Sequence, residues 1–399
     1  MPVTESDHAI FRDPDYLALE QHYVDHPIAL YTGAGVSWAK DARYGLRGWG
    51  DFVQKILIQH EGPDSTALAE FDQRVGREWA DEPWQMAEWV AERIGREAFE
   101  RLVVKSVQRE ENFPRKYKQL SWKFLSKAPT LKAVSAFCAQ FAGVVEGAKS
   151  LTYRVSPNPR VRAVITSNYD PFLEAASSTM FQQPILKPVA AVGSSVGRLD
   201  QTPVFHIHGY VAYPERKKPP RDIRPFVAPV VTARDYEKAW RPDNVYCPTM
   251  GPQIHVLRHY TALFIGFSFR DPWVNGLLRR LNEEREERAP GERLYHYALM
   301  KREEVRSKGE GFFTGLGVKS IALNDFDEIP WLLGHLYQRG LAHDYGNRIE
   351  LPIVEKGTGE RTGGHVYLSP DQYWKDLYAC RNRAVRRRNA DPWRDSTGQ

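Results

Sequence analysis

Short, continuous runs of apolar residues recur along the chain, and each ends in small or polar residues. The runs cover residues 27–32, 161–166, 203–207, 226–231, 261–267, 294–300 and 318–323. Continuous apolar runs are typical of strands that are covered on both faces, as in parallel sheets. Segments with helical periodicity separate most of them, for example residues 272–284. The alternation predicts an α/β fold with a Rossmann-like, doubly wound parallel sheet of about six strands.

The apolar positions after the first strand are spaced three and four residues apart, which is the period of an amphipathic helix. These positions are Trp49, Phe52, Val53, Ile56 and Leu57. Residues 60–155 continue with helical periodicity and almost no strand signal, which predicts a helical subdomain inserted after the first strand. We expect one domain over residues 1–345, including this insertion, and a C-terminal extension over residues 346–399.

The composition is that of a globular protein, with 42% hydrophobic residues and 11 Trp in 399 residues. The chain has no apolar run of about 18 residues, so we expect no membrane span. The N-terminal residues lack the basic and then apolar pattern of a signal peptide, so we expect a cytoplasmic protein without disulfides. Three cysteines, Cys138, Cys247 and Cys380, are too few for a four-thiolate zinc site, and no zinc is expected.

The net charge of +5 permits an anionic ligand or contact with nucleic acid but requires neither. Two basic stretches, residues 115–127 and 381–388, have two interpretations. Each can be a solvated helix surface, which is the more common case, or a contact with a polyanion. Direct binding of nucleic acid is therefore an open alternative.

The first strand runs into the turn Gly33-Ala34-Gly35-Val36-Ser37. Glycine leaves room for backbone N–H groups to approach an anion, and it tolerates positive φ. The third glycine of the usual dinucleotide-binding pattern is absent, so a purely structural turn is an equal alternative.

Polar residues also follow the second and third long strands, where ligands bind in open α/β sheets. Asn168 and Asp170 belong to the stretch Thr166-Ser167-Asn168-Tyr169-Asp170, for which a simple Asn/Asp turn is the favoured interpretation when the stretch is taken alone. His206 and His208 alternate on one strand face, without a nearby acidic or thiol partner for a metal site. His208 precedes a glycine at the strand end, and the usual pKa of histidine suits a proton acceptor.

A later strand ends in Gly266-Phe267-Ser268-Phe269-Arg270-Asp271-Pro272. Gly266 and Ser268 offer close backbone approach and a hydroxyl for a ribose or a phosphate. Asp271 and Pro272 have the residue types of an N-cap and a first helical position, and capping is the preferred role for Asp271.

Taken together, these four stretches resemble the sirtuin superfamily, and most of all its divergent zinc-less branch in bacterial antiviral defence. The resemblance covers about residues 25–330. It implies that Gly33–Ser37 hold the pyrophosphate of NAD, that Asn168 holds the nicotinamide ribose and a water, and that Asp170 binds the nicotinamide carboxamide. It also implies that His208 is the catalytic histidine. The full set of implied NAD-binding residues is Gly33, Ala34, Gly35, Val36, Ser37, Asp170, Gly266, Phe267 and Ser268.

The chain departs from protein-deacylating sirtuins in two places. The interval between His208-Gly209 and Gly266 holds Cys247 alone, where those enzymes carry a four-cysteine zinc module. Gly45-Leu46-Arg47-Gly48-Trp49 stands where their Gly-Ile-Pro-Asp-Phe-Arg motif is found. The resemblance therefore implies an NAD⁺ hydrolase that forms nicotinamide and ADP-ribose, as the toxic effector of an abortive-infection system.

A lethal activity needs restraint, which leads us to expect a homo-oligomer or a defence-system partner, such as a nucleotide-driven motor or a nucleic-acid-sensing subunit. Three other functions stay open. They are an NAD-dependent protein deacylase, a non-catalytic sensor of NAD or an ADP-ribose derivative, and a nucleic-acid-associated module. The presence of both Asn168 and His208 disfavours the sensor, because binding alone needs neither residue.

Overall fold

A computed structural model describes residues 9–40, 49–75, 83–108, 120–146, 153–189, 201–211, 230–239, 250–288, 295–354 and 361–379. The strands in these ranges are β1 (Ile28–Thr32), β2 (Ala139–Glu146), β3 (Tyr153–Pro157), β4 (Val161–Thr166), β5 (Leu186–Val189), β6 (Thr202–His206), β7 (Ala262–Ile265), β8 (His296–Lys301), β9 (Val318–Leu323), β10 (Ile349–Val354) and β11 (Arg361–Leu368).

The α-helices in the same ranges are α1 (Pro14–Asp25), α2 (Trp49–Glu61), α3 (Thr66–Val75), α4 (Pro83–Ile94), α5 (Arg96–Val107), α6 (Trp122–Lys127), α7 (Pro129–Phe137), α8 (Phe172–Phe181), α9 (Ala233–Ala239), α10 (Met250–His259), α11 (Pro272–Arg288), α12 (Arg302–Lys308), α13 (Glu310–Gly315), α14 (Ile329–Tyr345) and α15 (Pro370–Ala379). Short 3₁₀ turns lie at Ala9–Arg12, Ala34–Ser37 and Phe326–Glu328.

Seven strands form one parallel sheet in the order β5-β6-β4-β1-β7-β8-β9. From β1, the chain adds β4, β6 and β5 on one side and later β7, β8 and β9 on the other. The strand order therefore changes direction at β1, as it does in doubly wound sheets, and this confirms the predicted Rossmann-like α/β fold. In such sheets the ligand cleft opens at the carboxyl ends of the strands next to this point.

The predicted strand count of about six is one short, because β5 was not recognised. β5 has four residues and contains Pro188, which an edge strand tolerates because one side of it needs no hydrogen bonds. The strand predicted over residues 226–231 lies outside the described residues except for Val230 and Val231, which do not belong to a strand.

A second sheet of four strands has the order β11-β10-β2-β3. β2 and β3 form an antiparallel pair, and β10 joins β2 in parallel. The expectation of almost no strands over residues 60–155 is therefore wrong at its C-terminal end. The sheet brings strands from the predicted C-terminal extension against this region, and such long-range pairing leaves little local periodicity to detect.

Three apolar cores hold these layers together. One face of the large sheet packs against α1, α7, α8, α14 and α15, and the other packs against α10 and α11. Helices α2 to α5 share a third core, which includes the buried residues Phe52, Val53, Ile56 and Leu57. Tyr169, in the loop after β4, also belongs to this third core, so the helical layer is anchored beside the carboxyl edge of the sheet.

Candidate active site

The strand ends that carry the predicted site residues are aligned in register across the sheet. Thr32 of β1 pairs with Thr166 of β4 and with Ile265 of β7, and Thr166 pairs with His206 of β6. Each site loop therefore starts from the same level of the sheet. Asn168 and His208 both lie two residues beyond a paired position on neighbouring strands, which brings their loops side by side.

A cavity of about 810 Å³ opens at this edge, a volume in the usual range for small-molecule sites. Its lining includes these predicted site residues: Ala34, Gly35, Ser37, Asn168, Asp170, His208, Gly266, Phe267 and Ser268. Two others do not line it. Val36 is buried in the core below the sheet edge, and Gly33 packs against the backbone of Gly266. The Gly45–Gly48 stretch lies outside the described residues.

The glycines after β1 and β7 let two protein loops interlock. A Cβ on Gly266 would lie 2.6 Å from the backbone nitrogen of Val36, and one on Gly33 would lie 2.5 Å from the Gly266 oxygen. Gly266 also has a φ of +64°, which favours glycine. The N–H groups of Gly33, Gly35 and Val36 donate to the carbonyls of Ile265, Gly266 and Gly33. These three donors have protein partners, so a pyrophosphate at this turn needs other donors.

Ser37 connects Asn168 to Asp170. Its hydroxyl donates to the Asp170 carboxylate, with distances of 3.1 and 3.2 Å to the two oxygens, and accepts from Nδ2 of Asn168 at 3.0 Å. The Asn168 amide nitrogen is thereby engaged, and its amide oxygen is the atom that can accept a hydrogen bond from a ligand. Burial raises the pKa of Asp170 to about 6, although hydrogen bonds from Phe172 and Ser37 oppose the rise.

His206 supports Asn168 from beneath the cavity. Its Nδ1 lies 2.9 Å from the Asn168 backbone oxygen, and its Nε2 lies 2.7 Å from Oε1 of Glu174. Because both ring nitrogens face acceptors, both carry protons. Burial alone would lower the pKa of His206, but Glu174 and the two hydrogen bonds outweigh it and raise the pKa. No acidic partner was expected for these histidines, and Glu174 of α8 supplies one for His206.

His208 lies in the turn after β6, which ends at His206, so the two histidines do not share a strand face as expected. Nδ1 of His208 lies 3.4 Å from the Tyr236 hydroxyl, and the two rings meet edge to face. Nε2 of His208 lies 3.3 Å from Oδ2 of Asp271. Burial, followed by the charge of Asp271, raises the pKa of Tyr236 well above its ordinary value, so its hydroxyl stays protonated.

Asp271 caps α11, as the sequence indicated, and it also faces the site. Its Oδ1 accepts from the N–H groups of Trp273 and Val274 at 3.0 and 3.1 Å. The second carboxylate oxygen is the one beside His208. Sequence reasoning missed this second role, although the position of Asp271 soon after Gly266 at a strand end was a usable signal. Tyr236 and Trp84, which also line the cavity, had no such signal, because only tertiary packing brings them there.

Within the described ranges no helix is long and apolar enough to cross a membrane. In the same part of the chain no three His, Cys, Asp or Glu side chains are grouped so that they could hold a metal ion. Cys138 is a buried free thiol in the main core, and burial raises its pKa. Cys247, Cys380, residues 115–119 and residues 381–388 lie outside the described residues, whereas the rest of the first basic stretch includes α6.

Comparison with known proteins adds two findings. Residues 162–321 match the model of the SIR2-like domain. A stretch of 195 residues is 30% identical to the protein named NAD(+) hydrolase ThsA from Bacillus cereus (strain MSX-D12). That alignment covers 42% of this chain and 34% of ThsA, so the match spans about a third of the length of the relative.

Proposed function

We propose that the chain hydrolyses NAD⁺ to nicotinamide and ADP-ribose, because residues 162–321 match the model of the SIR2-like domain. One observation carries most of the support: Asn168 and His208, which follow different strands, line the same cavity. The name of the relative ThsA supports the choice of NAD⁺ as the substrate. The cavity volume is adequate for a bound small molecule.

In the proposed reaction, the bond between C1′ of the ribose and the nicotinamide nitrogen breaks, and its electron pair stays on the nicotinamide. Nicotinamide therefore leaves as a neutral molecule and needs no general acid. A water oxygen forms the new bond to C1′ and loses a proton. We propose that the Asn168 amide oxygen orients the water and that His208 accepts its proton. General-base catalysis of this kind raises the rate about 10²- to 10⁴-fold.

The neighbouring residues hold this arrangement in place. Ser37 and Asp170 fix the Asn168 amide group, and His206 fixes the Asn168 backbone. For contact with the nicotinamide carboxamide we propose Asp170, which the sequence resemblance implies. For the adenosine ribose we propose Gly266, Phe267 and Ser268, which line the same cavity, with Ser268 exposed.

The direct test is to incubate the purified chain with NAD⁺ and follow nicotinamide release. We expect His208→Ala and Asn168→Ala each to lower turnover at least about 100-fold. His255→Ala is the matched control, because His255 is exposed on α10 and is not among the residues that line the cavity. Circular dichroism of each variant checks the fold. Unchanged turnover in both site variants would refute the assignment.

The same assay separates the proposed hydrolase from the alternatives. Nicotinamide release without an acylated peptide, with free ADP-ribose as product, supports hydrolysis. Release that requires an acetyl-lysine peptide and yields O-acetyl-ADP-ribose would indicate a deacylase instead. NAD⁺ binding without turnover would indicate a sensor.

We further propose that the activity serves bacterial antiviral defence, with the chain as a cytoplasmic, self-associating effector under the control of a partner. The support is the sequence resemblance described above. Expression of the wild-type chain during phage infection should deplete cellular NAD⁺, whereas His208→Ala should not. Size-exclusion chromatography with light scattering tests self-association, and a fully active, unpartnered monomer would contradict it.

A further inference from the structure

The loop between β7 and α11 contains a bulky residue in a backbone conformation that such residues rarely adopt. Phe269 has a φ of +53°, in the left-handed region that is strained for a side chain of this size. Among the described residues, Gln182 is the one other non-glycine residue with positive φ, and it ends α8, where this conformation is common. Phe269 ends no helix. It lies between Ser268 and Arg270, which both line the cavity, and strained residues are common at ligand sites.

The ring of Phe269 is packed against three other aromatic rings. Phe269 is 1% exposed, and its ring centre lies 5.0 Å from those of both Phe264 and Phe267. The ring centre of Phe313 lies 5.5 Å away. Phe264 belongs to β7 and Phe313 to α13, so the ring of Phe269 joins the loop to the sheet and to a helix later in the chain. Burial of such a ring contributes enough free energy to offset one strained residue.

Two side chains hold the backbone carbonyl of Phe269. Nδ2 of Asn275, on α11, donates to it at 2.9 Å, and Nζ of Lys308, at the end of α12, donates to it at 3.3 Å. The amide oxygen of Asn275 is buried without a partner among the described residues, so the bond to Phe269 is the contact for which this amide is placed. The ring and the carbonyl of Phe269 are therefore fixed by the sheet and by three helices.

We propose that Phe269 is a positioning residue: its left-handed conformation holds the hydroxyl of Ser268 at the cavity, where it contacts the adenosine half of NAD⁺. This inference rests on the proposed function for the identity of the ligand. Phe269 turns its ring into the core, while Ser268 and Arg270 on either side of it are exposed. A negative φ at Phe269 would rotate the peptide group before it relative to the buried ring, and Ser268 would move with that group.

This role predicts an effect on binding rather than on the chemical step. Asn168 and His208 follow β4 and β6, which lie on the opposite side of β1 from β7. Asp271 lies beside His208, but N–H groups at the start of α11 fix it separately. A loop that leaves the positioned state lowers the apparent affinity by the fraction of molecules that stay competent. KM should therefore rise while kcat changes little, because the lost contact is equal in the bound substrate and the transition state.

The test compares Phe269→Ala with Phe269→Gly. Both variants lose the ring, but only glycine adopts positive φ without strain. We expect KM for NAD⁺ to be about 5-fold or more higher in Phe269→Ala than in Phe269→Gly, and kcat to agree within about 2-fold. Gln182→Ala and Gln182→Gly are the matched controls, because Gln182 also has positive φ but is exposed and does not line the cavity. The stabilities of the two controls should differ in the same direction, whereas their KM values should be equal.

A second variant decides the question if loss of the ring prevents folding. Asn275→Leu removes the donor to the Phe269 carbonyl together with the unpaired buried oxygen, so we expect little loss of thermal stability. KM should nevertheless rise about 3- to 10-fold, because the carbonyl is held less firmly. Asn158→Leu is the matched control. Asn158 is also buried and donates to a phenylalanine carbonyl, that of Phe137 at 2.8 Å, but it precedes β4, at the opposite end of that strand from the cavity. This control should lose stability with an unchanged KM.

Equal KM values in Phe269→Ala and Phe269→Gly, a loss confined to kcat, or an unchanged KM in Asn275→Leu would overturn the positioning role. Calorimetric binding of ADP-ribose, which retains the adenosine half, separates this role from the proposed function. Weaker binding by Phe269→Ala than by Phe269→Gly, without NAD⁺ hydrolysis by the wild type, supports the positioning role and refutes the hydrolase. NAD⁺ hydrolysis with equal ADP-ribose affinity in the two variants refutes the positioning role and leaves the hydrolase standing. Absence of both binding and hydrolysis in the wild type overturns both.

Discussion

Replacement of Asp170 by asparagine is expected to stabilise the fold while impairing the site. Asp170 is 3% exposed, and burial raises the pKa of its carboxyl from 3.8 to about 6. At neutral pH Asp170 is therefore ionised, at a buried position where its charge is less stable than it is in water. Such a cost is common at functional sites, where it is offset by the stability of the rest of the fold.

The size of the effect follows from the two pKa values. A shift of one pH unit corresponds to about 1.4 kcal/mol, so a rise from 3.8 to about 6 corresponds to about 3 kcal/mol above pH 6. Asparagine keeps the acceptor for the N–H of Phe172 but gives Ser37 a poorer acceptor. We therefore expect a gain of about 1 to 3 kcal/mol in the free energy of unfolding at pH 7.5.

The sign of the pH dependence is specific to a raised carboxyl pKa. Below 3.8 the group is protonated in both states, and between 3.8 and about 6 the unfolded chain ionises first. The unfolded state then binds fewer protons, so the Asp170 contribution to stability falls as the pH rises through this window and is constant above it. The advantage of Asp170→Asn should accordingly shrink as the pH is lowered from 7.5 to 5.

Urea denaturation of the wild type and Asp170→Asn at pH 5, 6 and 7.5 measures this difference. Asp64→Asn, at an exposed position, is the control for a change of net charge. Nicotinamide release by Asp170→Asn should fall at least about 10-fold, because the Asn168 amide loses part of its support through Ser37. A destabilised Asp170→Asn, or a stability difference that does not depend on pH, would refute this reasoning.

Two further substitutions test the loops and the buried pair. Gly266→Ala should lower the free energy of unfolding by more than Gly309→Ala, because both have positive φ but only Gly266 would place its Cβ against the backbone of Val36. We expect Gly309→Ala to lower the free energy of unfolding by about 1 to 3 kcal/mol, because alanine is strained at positive φ. Urea denaturation measures the loss in each variant. Equal losses would contradict the interlocking of the two loops. Glu174→Gln should lower the free energy of unfolding by about 3 kcal/mol at pH 6 and by less at pH 9. The raised pKa of His206 stabilises the fold below about 6.5, and this contribution is lost as the pH rises through the pKa in the folded state. A loss that is the same at both pH values would argue against a charged His206.

The fold class and the position of the cavity could both be predicted from the sequence. Strands such as β4 and β9 coincide with the predicted runs, because a strand buried on both faces leaves a continuous local signal. The loops after β1, β4, β6 and β7 could be located for a related reason. In a parallel sheet all carboxyl ends lie at one edge, so polar residues just past several strands must lie near one another.

The pairing of the side chains at that edge could not be predicted, because it depends on how the elements pack together. The contacts between His206 and Glu174, and between His208 and Asp271, join residues from different elements, and no spacing along the chain encodes them. The same holds for the glycines, whose role in letting two loops interlock depends on where β1 and β7 place those loops. Local periodicity records which face of an element is buried, whereas the direction of a side chain and the identity of its distant partner arise only when the elements pack together.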